Sequence, residues 1–550
     1  MKGQGFYKGS AILIGMVVVT KVIGLVFKLI ITNLLGGVGM AYFSGVYAVF
    51  TPVFAAAVGG ISSAVAIMTA ENCALERYKN VRKIKNTSLL VFALSGAVLG
   101  GALVVLSPFI SKAVSGGESL RPGLMAAAPA VLLCSVLSCL RGYSEGFSDM
   151  VPTAVSEIIE TVFKLFLGVG LALLISKTLP AGVDKNEGFS RICAAAVLGV
   201  SLSSFFADVY MFIHFRLKGD GIDKTRLQRD KCTDSFKHIT LELLHFSTPI
   251  ALTAAISTLI NTADLLTVPM MLRRLIDRGV YDISPLVMAG VSVDDIPQFV
   301  YGSFTAMALS ITGMIPGFTA MPCKPALPGV SRARASGDKA ALEKSINEVM
   351  LLSMLIACPA SMGLMLFSRE SLVFLFPSRQ AEISVSAMPL AVLSAGLVFG
   401  CLLPPVFALL QAVGKPGTPV RIIGLSCVIK LCLNVMLMSV PVLNINGAAL
   451  ALVLSDMAAF IIGERCLYKA TGIRPDAVKV YISPVFAGAL CAVSARLSYD
   501  MMLFKAGVRA GLLSAVVVGG IIYIFSLYLL NILPKNVLIR KKIKKIAKRA

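Results

Sequence analysis

Charge is what this 550-residue chain has little of. Only 15% of its residues are Asp, Glu, Lys or Arg, 57% are hydrophobic, and the mean hydropathy is +0.84. That mixture excludes a soluble globular domain and points to an all-α polytopic membrane protein. Acidic residues are scarcer still, 29 against 51 basic ones, for a net charge of +22. A nucleic-acid binder would gather that excess on one folded face. Here it sits in short loops between apolar runs, so no nucleic-acid partner is expected. The three histidines, His214, His238 and His245, are too few and too ill-placed for zinc. The 12 cysteines form no CxxC pair, and nearly all lie in apolar runs, as small core residues do. No metal and no cofactor is expected. The first apolar run is too long for a cleavable signal peptide and lacks a small-residue cleavage site.

What the chain has instead is long apolar sequence. Fourteen spans are predicted, near 10–35, 43–70, 87–113, 122–140, 153–176, 191–215, 243–270, 299–323, 345–368, 384–411, 420–440, 446–468, 479–499 and 509–533. The longest gaps are a basic loop around 216–242 and the segment 271–298, where Pro285 and Pro297 leave room for a short interfacial helix. With the N-terminus inside, 34 lysines and arginines fall in inner segments and 11 in outer loops, with six more inside spans. The bias predicts that both termini are cytoplasmic. The tail Lys535–Arg549 carries eight of these cations. It suits attraction to anionic membrane lipid, at ~1 kcal/mol per basic residue near the surface.

The spans also contain charge. Lys21 and Lys28 interrupt the first span seven residues apart, about two helical turns, so they project from one face. A lysine at a helix centre in lipid costs roughly 2.5–3.5 kcal/mol, so that face should meet protein or a watery cavity. Lys28 could instead snorkel to the interface while Lys21 pairs with an acid. The sharper reading is a polar cavity that accepts an anion. In the fifth span, Glu157, Glu160 and Lys164 form one stripe, and the Glu160-to-Lys164 order favours a helical ion pair. That pair could be structural, or its members could exchange partners with an arriving anion. Asp208, Asn261, Asp264, Asn434 and Asp456 are further intramembrane polar groups, whose default role is a helix-bundling hydrogen bond. A faint repeat links Gly146, Pro152 and Lys164 to Gly414, Pro419 and Lys430. It predicts two six-helix lobes, 1–242 and 243–476, followed by two C-terminal helices and the tail, 477–550.

Several stretches resemble a known family. TKVIGLVFKLIITNLLGGVGMAYFSGVYAVF at 20–50, GISSAVAIMTAE at 60–71, RGYSEGFSDMVPTAVSEIIE at 141–160, LLQAVGKPGTPV at 409–420 and NINGAALALVLSD at 444–456 are similar to SpoVB-like membrane proteins. Those proteins belong, with the lipid II flippase MurJ and the Wzx flippases, to the multidrug/oligosaccharidyl-lipid/polysaccharide (MOP) exporter superfamily. The resemblance implies 14 helices, a V-shaped central cavity and alternating access. The implied cargo is a polyprenyl-diphosphate-linked sugar for peptidoglycan or another envelope polymer, with cell-wall synthesis enzymes as candidate partners. Lys21 matches the position of a cavity arginine in the first helix of MurJ, and Lys28 lies about one residue from a second. The chain departs from that pattern around Ala55, Ala56, Ser303 and Phe304, where MurJ has cavity arginines. It departs again at Met438, which replaces an acidic partner of Asn434 in the sodium site of some members.

The resulting expectation is a cell-membrane flippase, not an enzyme. Lys21, Lys28, Lys164 and Lys430 would meet the diphosphate, with Glu157 and Glu160 as resting partners and Arg141 beside them. A multidrug cation antiporter of the same superfamily is the alternative, with Asp264 and Asp456 in its favour. A membrane glycosyltransferase would need a sizeable loop bearing carboxylates or a metal, and the outer loops are too short.

Overall fold

The computed structural model describes residues 6–530 and 532, apart from 116, 148, 181–183, 220–221, 223–233, 321–329, 331–332, 335 and 416. The side chains of 6–14, 74, 115, 253, 257, 260, 261, 263, 505 and 506 also lie outside the described set, and Asn261 is one of them. Residues 220–221 and 223–233 of the basic loop around 216–242 and the whole tail Lys535–Arg549 fall outside it too. Among the described residues there are helices and turns and no strand. This is what apolar sequence in lipid requires, because a helix satisfies its own backbone polar groups.

The first compact unit comprises Met1–Ser310, Ser378–Ser386 and Ile423–Ala451. Its helices begin with α1 (Phe6–Val58), α2 (Ile61–Ala74), α3 (Tyr78–Ser115), α4 (Arg121–Gly146), α5 (Val151–Thr178), α6 (Lys185–Lys218) and α7 (Phe236–Asp277). Pro122 and Pro152 sit in the first turns of α4 and α5, where the missing N–H costs nothing. Ser235 caps α7 by accepting a hydrogen bond from the His238 N–H. The segment 271–298 holds a five-residue helix, α8 (Ser284–Met288), ahead of α9 (Ile296–Ser303). A π-helical turn at Phe304–Leu309 then leads into α10 (Ser310–Thr319).

The second unit comprises Ile311–Pro377, Ala387–Ile422 and Leu452–Ala550. The remaining helices are α11 (Lys339–Leu366), α12 (Ser368–Leu375), α13 (Gln380–Ala412), α14 (Gly417–Met438), α15 (Asn444–Thr471) and α16 (Ser483–Leu529). Asp338 caps α11 through the Ala341 N–H. Asp476 accepts from the Val478 and Lys479 N–H groups at the turn before α16, and those bonds hold its carboxyl below the usual carboxylate range.

Thirteen helical stretches among the described residues are long and apolar enough to cross a membrane, where the sequence predicts fourteen. The first of them, Gly15–Cys73, is 59 residues long and takes in most of the first predicted span and all of the second. It is broken at Gly36, whose φ of 64° and ψ of −169° no helix contains. Gly36 is also where the chain is pinned. The Gly37 N–H donates to Glu382 Oε1 at 3.2 Å, and Arg379 bonds both Glu382 and the Asn33 carbonyl. A side chain on Gly302 would lie 1.9 Å from the Gly37 carbonyl oxygen, so α1 and α9 meet backbone to backbone.

The two units have separate interiors. One is built on Ile61, Val65, Met68, Ile84, Tyr143 and Leu243, the other on Ile346, Met350, Leu402, Val406 and Phe460. Leu90, Leu94, Val98, Val105 and Phe109 form an exposed apolar stripe along α3, the reverse of a soluble helix and the surface that lipid requires.

Candidate functional site

Three gatherings of charge inside the first unit involve the residues singled out by sequence. The first is a cavity of about 360 Å³ lined by α1, α5, α7, α9 and the π turn, through Phe27, Lys28, Tyr47, Lys164, Asp264 and Tyr301 among others. Lys28 reaches it from α1 and Lys164 from α5. Each ammonium lies 5.3 Å from the centre of a ring, Phe43 for Lys28 and Phe27 for Lys164. Among the described residues, neither lysine has a carboxylate within 4.0 Å. The face of a ring offsets part of a buried charge, on the order of 2 kcal/mol when desolvated, but carries no counter-charge.

The second place adjoins that cavity. Lys430 of α14 is 1% exposed, and its ammonium bonds Asp264 Oδ2 at 2.7 Å. Asn434, one turn further along α14, donates to Asp264 Oδ1 at 2.9 Å and to Thr267 at 3.1 Å. Asp264 is the only acidic side chain in the described cavity lining, and its charge is already taken.

The third place joins α4, α5 and α6. Arg141 bonds Glu160 Oε2 at 2.8 Å and Ser156 at 2.8 Å, and Ser204 donates to the other oxygen of Glu160 at 3.2 Å. Glu160 is therefore committed to Arg141 rather than to Lys164. Glu157 is half-buried one turn earlier on α5, and Lys21 is half-buried on α1, outside the cavity lining.

Of the residues singled out by sequence, Lys28 and Lys164 share a cavity and Lys430 stands behind it. Glu160 and Arg141 form a cluster of their own. Sequence reasoning missed the pairing of Asp264 with Lys430. Its signal was present as two polar stripes, Asp264 with Thr267 and Lys430 with Asn434, each at helical spacing.

The fold and this cavity define a class: a multi-pass helical membrane protein built around a cationic interior site, with no metal-ligating cluster among the described residues. Within that class, the chain belongs to the polysaccharide biosynthesis protein family, whose model matches residues 6–334. A second family model, lipid II flippase MurJ, matches residues 300–531. Similar proteins include the lipid II flippase MurJ of Bacillus subtilis, 22% identical over 548 residues and covering 96% of each chain. Stage V sporulation protein B of the same organism is 23% identical over 546 residues, covering 98% of each. Among solved structures, an inward closed conformation of lipid II flippase MurJ matches with a TM-score of 0.65 and 13% identity, over 97% of this chain and 100% of that one. An inward-facing multidrug MATE transporter of the MOP superfamily matches with a TM-score of 0.61 and 14% identity, over 82% and 94%.

Proposed function

We propose that this chain is a flippase that moves a polyprenyl-diphosphate-linked sugar, an envelope precursor of the lipid II kind, across the cell membrane by alternating access. The relatives named as lipid II flippases support that reading over nearly the whole chain. One observation carries it on this chain's own residues. Lys28 and Lys164 bring two ammonium groups to one cavity with no described carboxylate in ion-pair reach, while the one acidic lining residue is taken by Lys430. Ammonium groups in a water-poor cavity attract phosphate oxygens strongly, and the diphosphate is the anion that such a cargo carries. Lys28 and Lys164 are the direct ligands in this reading, and Lys21 guides the headgroup in. Lys430 keeps Asp264 from opposing them, while Arg141 and Glu160, with Glu157 nearby, set the charge behind Lys164. The chain transports and catalyses no bond change.

The reading extends to lobes at 1–242 and 243–476, with 477–550 as an appendage and both termini in the cytoplasm. Cell-wall synthesis enzymes are its natural partners. A multidrug cation antiporter is the weaker reading, because the sole described acid in the lining is already neutralised. The test is flipping of a labelled polyprenyl-diphosphate sugar in proteoliposomes. Lys28→Met and Lys164→Met should each lose at least about tenfold in rate, equivalent to ~1.4 kcal/mol of lost stabilisation. Wild-type rates in both variants would remove the cationic cavity from the mechanism.

A further inference from the structure

Asp208 lies on α6, 4% exposed, and its Oδ1 has no hydrogen-bond partner among the described residues. The helix-bundling hydrogen bond that its place in the sequence suggests is not made among the described residues. Asp208 is one helical turn beyond Ser204, so the two share a face, and Ser204 donates to Glu160. Asp208 is within electrostatic reach of Arg141 and of Glu160. Two carboxylates thus lie within electrostatic reach of one guanidinium, and of the two it pairs with Glu160 among the described residues. An ionised carboxylate stripped of water and given no hydrogen bond in return is costly to bury, and a bound proton removes the cost.

Arg141 is the cation that acts on Asp208, and the other titratable groups on the neighbouring elements are engaged elsewhere or more distant. From α4 come Arg141, Cys134 and Cys139. From α5 come Glu160 and, one turn on, Lys164. On the α1 side Tyr47 lies toward Cys134, and Lys28 faces Lys164. Lys85 of α3 is stacked on Tyr143 and Phe215. Tyr210 and His214 follow on α6 itself, with Asp149 near both.

We propose that Asp208 is a proton-binding site linked to the anion site through Arg141, Glu160 and Lys164. The arrangement described is the anion-accepting one: Asp208 holds the proton, Arg141 holds Glu160, and Lys164 is left unneutralised. When Asp208 loses its proton, the new carboxylate draws the guanidinium. Glu160 is released and turns to Lys164, four residues on in the favourable orientation for a helical pair. Lys164 then no longer needs the anion. Proton and anion therefore bind cooperatively, and by linkage each strengthens the other equally. The anion half of this coupling rests on the flippase reading, but the proton site does not.

Two measurements on the full-length protein separate these parts. Infrared spectra at neutral pH should show a protonated-carboxyl stretch that is lost in Asp208→Asn and retained, shifted, in Asp208→Glu. It should also be lost in Glu160→Gln, where the freed Arg141 ionises Asp208. A wild-type spectrum lacking the band from mildly acid to mildly alkaline pH overturns the proton site. In detergent, farnesyl diphosphate should bind wild type more tightly as pH falls, by up to about tenfold per pH unit, the limit for one linked proton. Asp208→Asn should retain only the pH dependence of the probe itself. Identical pH profiles for the two proteins overturn the coupling. Failure of the probe to bind either protein at any pH overturns the flippase reading, while the infrared result still decides Asp208.

Discussion

A lysine inside an apolar helix persists only where something offsets its charge, and the intramembrane lysines differ in what does so. Lys430 has a carboxylate at 2.7 Å, whereas among the described residues Lys28 and Lys164 have ring faces and no carboxylate in ion-pair reach. Removing one partner of a buried ion pair leaves the other uncompensated, at about 3–5 kcal/mol. Asp264→Asn should therefore lower stability markedly, and Asp264→Leu combined with Lys430→Met should recover most of the loss. Thermal unfolding in detergent, followed with a thiol-reactive dye, reads both. A double variant no more stable than the single one would mean that the pair does not act as a unit. Lys21 and Lys28 make a second contrast. Sequence reading lets Lys28 escape to the interface, yet Lys28 lines the cavity and Lys21 does not. Lys21→Ala should accordingly slow flipping less than Lys28→Ala in the same liposome assay.

The limits of sequence reading at this scale have a plain cause. Lys28 and Lys164 stand out because charge in an apolar run is conspicuous. Glu160 is matched by helical spacing to Lys164, four residues on along the same helix. Its actual partner, Arg141, lies on another helix, where helical periodicity gives no information.

At the scale of elements, apolar length alone locates nearly every membrane helix, because lipid leaves the backbone no alternative. What length cannot reveal is where a helix bends without losing its apolar character. Gly36 does this inside a 59-residue stretch, and its signal is one glycine among many. The backbone approach of Gly37 to Gly302 is equally silent in sequence, since nothing in either glycine names the other. Gly302→Ala would force its Cβ into the Gly37 carbonyl and the Ala41 N–H. Overpacking of this kind costs typically ~1–3 kcal/mol or more. The variant should unfold at lower temperature than wild type in detergent. Gly313→Ala should not, because open space surrounds that position.

For the whole molecule, the proposed orientation is testable at two points. Asn80 and Lys83, at the start of α3, bond Asp234, just ahead of α7, so these two junctions share one side. Charge bias assigns that side to the cytoplasm. Cysteines placed within 77–85 and after Arg549 should resist membrane-impermeant thiol reagents applied to intact cells, in a background without native cysteine. Labelling at either place would reverse the topology.

The first compact unit also fixes an order of assembly. It is made of three separated stretches of chain, and its last piece, Ile423–Ala451, carries the only described ion-pair partner of Asp264. Asp264 is synthesised 166 residues before Lys430. At ~5–20 residues per second, a carboxylate destined for the interior waits roughly 8–33 s for its counter-charge. During that interval the nascent chain must keep α7 either outside the bilayer core or shielded by the insertion machinery. The half-made protein is thus most exposed to quality control while its later helices are still being translated. Chains ending before 430 should be degraded faster than chains ending just after 451, and Asp264→Leu should narrow that difference.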